Sequence, residues 1–108
     1  MSKLWITIKE VITMNKIPLP TIGEILREEF LEPLNLSAYA VAKGIDVPTS
    51  RIQDLLHDRR KITVDTSVRL GRFFGLSDRY FLNLQNDIDI RKAEETYNYD
   101  KIKKYQLA

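Results

Sequence analysis

From Ile22 onward, apolar residues recur every three or four positions, and a polar capping residue precedes most of these runs. Thr21-Ile22-Gly23-Glu24 reads as a capping box: the Thr21 hydroxyl accepts from the Glu24 backbone N–H while the Glu24 carboxylate reaches back. Ile22, Ile25, Leu26 and Phe30 then form the apolar face of a first helix, which Pro33 closes. Ser37 caps a second helix, and Pro48 or Thr49 opens a third. Thr63 caps a fourth that runs through Phe74, buries Leu70, Phe73 and Phe74, and stops at a left-handed Gly75. Ser77 caps a fifth, in which Phe81, Leu84 and Ile88 repeat at helical spacing. No strong strand pattern follows residue 20. The expectation is an all-α fold of five helices around one core.

The ends of the chain follow no such period. Lys3 to Ile12 partly alternate, with Trp5, Ile6, Ile8, Val11 and Ile12 favouring extended structure. Met14 offers a second translation start, so the first thirteen residues read either as an optional extension or as an element packed on a partner. After Glu95, Tyr97, Tyr99, Ile102 and Tyr105 belong either to a frayed tail or to a dimer or partner contact.

The most informative stretch is SAYAVAKGIDVPTSRIQDLLHDRRK, from Ser37 to Lys61. Its two short helices meet at Gly44-Ile45-Asp46-Val47, the arrangement of a helix–turn–helix whose second helix is free to enter a DNA groove. Val41, Ala42, Ile45, Val47, Ile52 and Leu55 match the packing this unit needs, with Ala42 small where the helices cross. Thr49, Ser50, Arg51, Gln53 and Asp54 interleave with them as polar residues able to bond base edges or phosphates.

Arg51 lies on the outer side of that helix, where arginine bonds guanine O6 and N7 in bidentate fashion; the competing reading is a surface charge paired with Asp54. Gln53 suits adenine, and Thr49 and Ser50 sit in the first turn, where backbone N–H groups attract phosphate. Asp54 repels phosphate, so it either orients Arg51 or accepts from cytosine N4. Arg59-Arg60-Lys61 follow directly and read as a phosphate clamp; Lys43 and Ser37, at the two ends of the second helix, complete the candidate DNA contacts.

Composition permits this reading without requiring it. The 108 residues suit one compact unit, 44% hydrophobic and 30% charged, with a net charge of only +2 from 17 Lys+Arg and 15 Asp+Glu. With no cysteine, a single histidine, His57, and no assembled carboxylates, neither a metal site nor a nucleophilic triad is expected, and the four isolated glycines form no phosphate loop. No enzyme activity and no cofactor are expected. No apolar run approaches a membrane span, and Lys9 and Glu10 make the N-terminus a poor secretory signal, so a cytoplasmic site of work is expected.

Three segments in order, GEILREEFLEPL, the R-I-x-D-L core with its basic loop, and Y-F-L-N-L-Q, resemble the HigA-type (VapI-like) antitoxins. The resemblance covers about residues 18–95, leaving residues 1–17 as an extension of unclear role and 96–108 as a tail. It implies a five-helix fold, a homodimer, repression of its own operon through palindromic operator DNA, and neutralisation of a co-encoded ribonuclease toxin. The acidic face of helix 1, Glu24, Glu28, Glu29 and Glu32, suits a basic toxin, or is a solvated face with Arg27 paired to Glu24 or Glu28. A stand-alone repressor and a protein-interaction module without DNA binding are the alternatives. Two positions depart from the family pattern: Asp46 stands where the turn is often glycine, and Phe81 where tryptophan is frequent.

Overall fold

Five helices follow one another in the computed structural model, which describes residues 19–106. α1 begins as an α-helical turn, Ile22–Ile25, and continues as a π-helix, Leu26–Leu31. α2 is Ala38–Ile45, α3 Thr49–Leu56, α4 Val64–Phe74 and α5 Tyr80–Thr96. The expectations placed on Lys3 to Ile12 and Met14 lie outside the described residues.

The caps read from the sequence form at three helices. Thr21 Oγ1 accepts from Glu24 N at 3.1 Å, Ser37 Oγ from Ala40 N at 3.0 Å, and Thr63 Oγ1 from Thr66 N at 3.3 Å. Each satisfies a first-turn N–H that the helix itself leaves unpaired. The return bond from the Glu24 carboxylate does not form. Instead, Asp58 Oδ1 reaches across 35 residues to accept from Gly23 N at 3.0 Å. α1 is therefore capped partly by the loop that follows α3.

α1 to α4 all end in one motif, in which a left-handed residue turns the chain and the next N–H bonds five residues back. Asn35, Asp46, Asp58 and Gly75 hold the left-handed position, with φ of 54°, 59°, 58° and 71°. The closing bonds are Leu36 N to Leu31 O (2.8 Å), Val47 N to Ala42 O (3.0 Å), Arg59 N to Asp54 O (2.8 Å) and Leu76 N to Gly71 O (2.7 Å). α1 ends as expected just before Pro33, with Leu31 its last residue and Glu32 its cap, and Asn35 then takes the left-handed position that reverses the chain. The expectation for Ser77 is corrected. Its hydroxyl accepts from Arg79 N in a preceding turn, and regular α5 begins at Tyr80 with Arg79 as its cap.

The core gathers one face of each helix: Ile22, Ile25, Leu26, Phe30 and Leu31 from α1, Val41, Ala42 and Ile45 from α2, Ile52 and Leu55 from α3, Leu70 from α4, and Phe81, Leu84 and Ile88 from α5. In the π-helix the Glu32 N–H bonds Arg27 O, five residues back, which widens the turn. Phe30 and Leu31 consequently flank the line of Leu26, and all three are buried. Phe30 stands at the centre of the aromatic packing, its ring 5.1 Å from Phe74 and 5.0 Å from Phe81. Phe73 departs from the expected core: it is 37% exposed, lying over Gly44 with its ring edge-on to Phe74. The buried polar side chains of Thr66, Ser67 and Gln85 are all bonded; Ser67, for example, donates to Asp78 O and accepts from Leu82 N.

Two glycines mark close approaches. A Cβ on Gly23 would stand 2.5 Å from Leu56 O and 2.7 Å from Leu55 O, backbone atoms of α3 that cannot turn aside. On Gly44 the nearest atoms it would meet all belong to the Phe73 ring, a side chain 37% exposed that has solvent to swing into. Gly23→Ala should therefore cost about 1–3 kcal/mol, while Gly44→Ala should be nearly neutral, its helix-propensity gain of about 1 kcal/mol offsetting the ring's displacement. Thermal unfolding of the two variants checks this; equal losses would mean that α1 and α3 can separate.

Candidate nucleic-acid interface

α2 and α3 meet through the residues that the sequence assigned to the crossing. Val41, Ile52 and Leu55 are fully buried, Ala42 and Ile45 almost so, and Val47 packs on the core from its edge. The short Ala42 side chain lies at this crossing, while Asp46 takes the left-handed position (φ 59°, ψ 54°) that the turn demands. Aspartate tolerates this conformation better than most residues, so the loss of the usual glycine is absorbed.

Burying Ile52 and Leu55 leaves the opposite side of α3 facing outward. Ser50 and Gln53 are exposed, and Thr49 and Arg51 partly so. Pro48 precedes the first turn without offering a side-chain bond, so the α3 N-terminus keeps free N–H donors beside Thr49 and Ser50. Ser37 is exposed, but its hydroxyl is engaged at Ala40 N. Lys43 projects from the last turn of α2 with its Nζ 5.8 Å from the centre of the Tyr39 ring, a cation–π contact that leaves the ammonium in solvent.

The charged residues are partnered differently from the sequence expectation. Asp54 does not orient Arg51. Its Oδ1 accepts from Arg59 Nε at 3.0 Å and its Oδ2 lies 4.0 Å from Arg60 Nη2, because the left-handed Asp58 folds the chain back over the end of α3. Arg51 instead donates from Nη1 to Asp65 Oδ2 at 3.2 Å, in the first turn of α4. Lys61 separates from its two neighbours and pairs with Asp89 of α5, Nζ to Oδ2 at 3.2 Å. Arg59 and Arg60 thus stay beside α3 while Lys61 fastens the loop to α5. His57 is occupied locally, its Nδ1 at 2.9 Å from Gln53 O.

Sequence reasoning missed Arg69. Its Nε donates to both oxygens of Asp65 (3.1 and 3.0 Å), and its Nη1 donates to Ile45 O at 2.8 Å and Asp46 O at 3.3 Å. One guanidinium therefore caps the carbonyl end of α2 and holds the acid that meets Arg51. The only local signal was the Asp65/Arg69 spacing of four, which is common on solvated helix faces. Among the described residues, two groups are shifted from their ordinary values, one in α4 and one in α5. Arg72 is raised by its hydrogen bond to Asp78 and by that residue's charge, and burial raises the Tyr80 phenol, so at neutral pH one stays charged and the other neutral. Among the described residues, no group of three metal-ligating side chains occurs and no helix is long and apolar enough to cross a membrane.

Residues 26–81 match the helix–turn–helix family. Virulence-associated protein I of Dichelobacter nodosus is 46% identical over 81 residues, which make up 75% of this chain and 75% of that protein. Among solved structures, a Pseudomonas aeruginosa protein in complex with its operator DNA superposes with a TM-score of 0.75 at 29% identity, covering 82% of this chain and 99% of that one. The Pseudomonas aeruginosa antitoxin HigA, solved with the higBA promoter, gives a TM-score of 0.69 at 31% identity over 78% of this chain and 95% of its own. The chain belongs to the helix–turn–helix family of transcriptional regulators and, within it, to the HigA-type (VapI-like) antitoxins.

Proposed function

We propose that this chain is a cytoplasmic antitoxin that binds palindromic operator DNA as a dimer, represses its own operon and neutralises a ribonuclease toxin. The observation that carries the reading is the division of α3 into a buried face, Ile52 and Leu55, and an outward face, Thr49, Ser50, Arg51 and Gln53. Similar proteins solved with operator or promoter DNA support DNA binding by this chain. Residues 18–95 form the DNA-binding antitoxin domain in this reading, with 1–17 as an extension and 96–108 as a tail.

Arg51 reads a base, Gln53 assists it, and Thr49 and Ser50 meet phosphate at the start of α3. Arg59 and Arg60, released from Asp54, clamp the backbone beside the groove, with Ser37 and Lys43 contacting it from α2. Asp54 serves as the resting partner of the clamp and Lys61 as the tie to α5. α5 runs eight residues past Ile88, the last of its buried apolar positions, and exposes Ile90. A second copy covering this extension sets two α3 helices about 34 Å apart, the spacing of successive major grooves. The α1 carboxylates Glu24, Glu28, Glu29 and Glu32 pair with no cation among the described residues, Arg27 included, and remain available to a basic toxin.

Arg51→Ala should weaken operator binding by about 1–3 kcal/mol and relax preference at one base pair per half-site. Fluorescence anisotropy on operator and random duplexes checks this, and an equal loss on both would move Arg51 to phosphate. Replacing Arg59 and Arg60 by alanine should instead weaken all duplexes similarly and flatten the salt dependence by about 0.9 per phosphate contact removed. An unchanged slope would take both out of the clamp.

A further inference from the structure

We propose that Asp65 is a positioning residue that sets the base specificity of Arg51, an inference that rests on the DNA-binding reading above. Three observations carry it. First, the carboxylate meets Arg51 from a different helix, fourteen residues away, so it fixes the guanidinium relative to the fold rather than to α3 alone. Second, Asp65 is itself held by a second bond network: Arg69 donates to both of its oxygens and also to Ile45 O and Asp46 O. The chain of contacts runs from the α2–α3 turn through Arg69 and Asp65 to Arg51. Third, the Arg51 side chain is 28% exposed, against 58% for Arg59 and 46% for Arg60. Of these three arginines, Arg51 is the least exposed, and its partner carboxylate is the one bonded by a second arginine.

The chemistry explains why this matters for reading a base. A guanidinium offers five N–H donors in a planar fork, and bidentate recognition of guanine needs two of them aimed at O6 and N7 together. Arg51 spends one donor, on Nη1, at Asp65 and keeps the others. Pinning one corner of the plane restricts its rotation about the side-chain axis. Part of the side-chain entropy that base binding would otherwise cost is thus lost before DNA arrives. Phosphate contact needs no such alignment, which matches the more exposed Arg59 and Arg60. Asp65 also repels the DNA backbone wherever Arg51 fails to find its base, so it penalises wrong sequences more than the right one.

A thermodynamic cycle tests this on duplexes selected by the wild-type protein from a randomised library, beside random duplexes of equal length. Asp65→Asn should weaken the selected duplex roughly 5- to 10-fold and leave the random duplex unchanged or tighter. In an Arg51→Ala background the same substitution should no longer weaken the selected duplex. In a panel carrying every single base-pair change, Asp65→Asn should flatten discrimination at the pair read by Arg51 and spare the other positions; a purely structural role would weaken all positions alike. The Asp65 side chain is 59% exposed, so the variant should fold, with Asp65→Ser as a second uncharged replacement if it does not. Losses from Asp65→Asn and Arg51→Ala that simply multiply, or equal tightening on both duplexes, would overturn the proposal while leaving the DNA-binding reading intact. If Arg51→Ala costs nothing on the selected duplex, the base-reading role of Arg51 falls, and the role of Asp65 falls with it.

Discussion

The outward face of α3 is useful only if the angle between α2 and α3 is fixed, and that angle depends on how the carbonyl end of α2 is satisfied. The left-handed Asp46 turns the chain there, and Val47 N closes the turn onto Ala42 O. The remaining carbonyls at Ile45 and Asp46 would face solvent at the rim of the core, but Arg69 of α4 donates to both. A charged donor on a carbonyl oxygen is stronger than a neutral one. The turn is thus clamped from below by α4 while Ile45, Ile52 and Leu55 fill it from inside. Removing this clamp would leave two short helices of eight residues each, too short to hold a crossing angle by their own bonding.

The same economy governs charge. With a net charge of +2, the chain has no bulk field to draw it onto DNA, so local arrangement must supply the attraction. Arg51, Arg59, Arg60 and Lys61 each rest against a carboxylate, from Asp65, Asp54 and Asp89. Exposed ion pairs of this kind contribute about 0–1 kcal/mol each, so phosphate can displace them at little cost. The partners then differ in what they do. Asp54 shares the end of α3 with a loop that is already folded back by Asp58; it bonds Arg59 at 3.0 Å and lies 4.0 Å from Arg60. Asp65 is held by a second arginine and holds Arg51 in turn. Two residues that sit awkwardly on a DNA face by sign alone, Asp46 and Asp54, therefore have ordinary structural work: one makes the turn, the other parks the clamp.

What the sequence disclosed was mostly what acts within four residues. Thr21, Ser37 and Thr63 were legible as caps because the hydroxyl and the N–H it serves are three positions apart. The core of α2 and α3 was legible because burial follows the helical period. Gly75 was legible because a left-handed stop favours glycine, and Asn35 and Asp58 were not, since they make the same turn without it. The misreadings share one cause, partners distant in the chain. Phe73 has the spacing of a core residue but is drawn over Gly44. Asp58 caps α1 from the far side of α3. The π-helical turn of α1 has no local signal, since Leu26, Phe30 and Leu31 fit an ordinary helix pattern nearly as well. Of the candidate site, its location on α3 was readable; the carboxylate that each cation meets was not.

The central claim is that α3, oriented by the clamped α2–α3 turn, is the surface that enters DNA. Amide chemical-shift mapping of the full chain against its selected duplex tests this most directly. The account predicts the largest changes at Thr49–Gln53 and Arg59–Arg60, with smaller ones at Ser37 and Lys43. Changes centred on the acidic face of α1 or on the α5 extension, with α3 undisturbed, would contradict it.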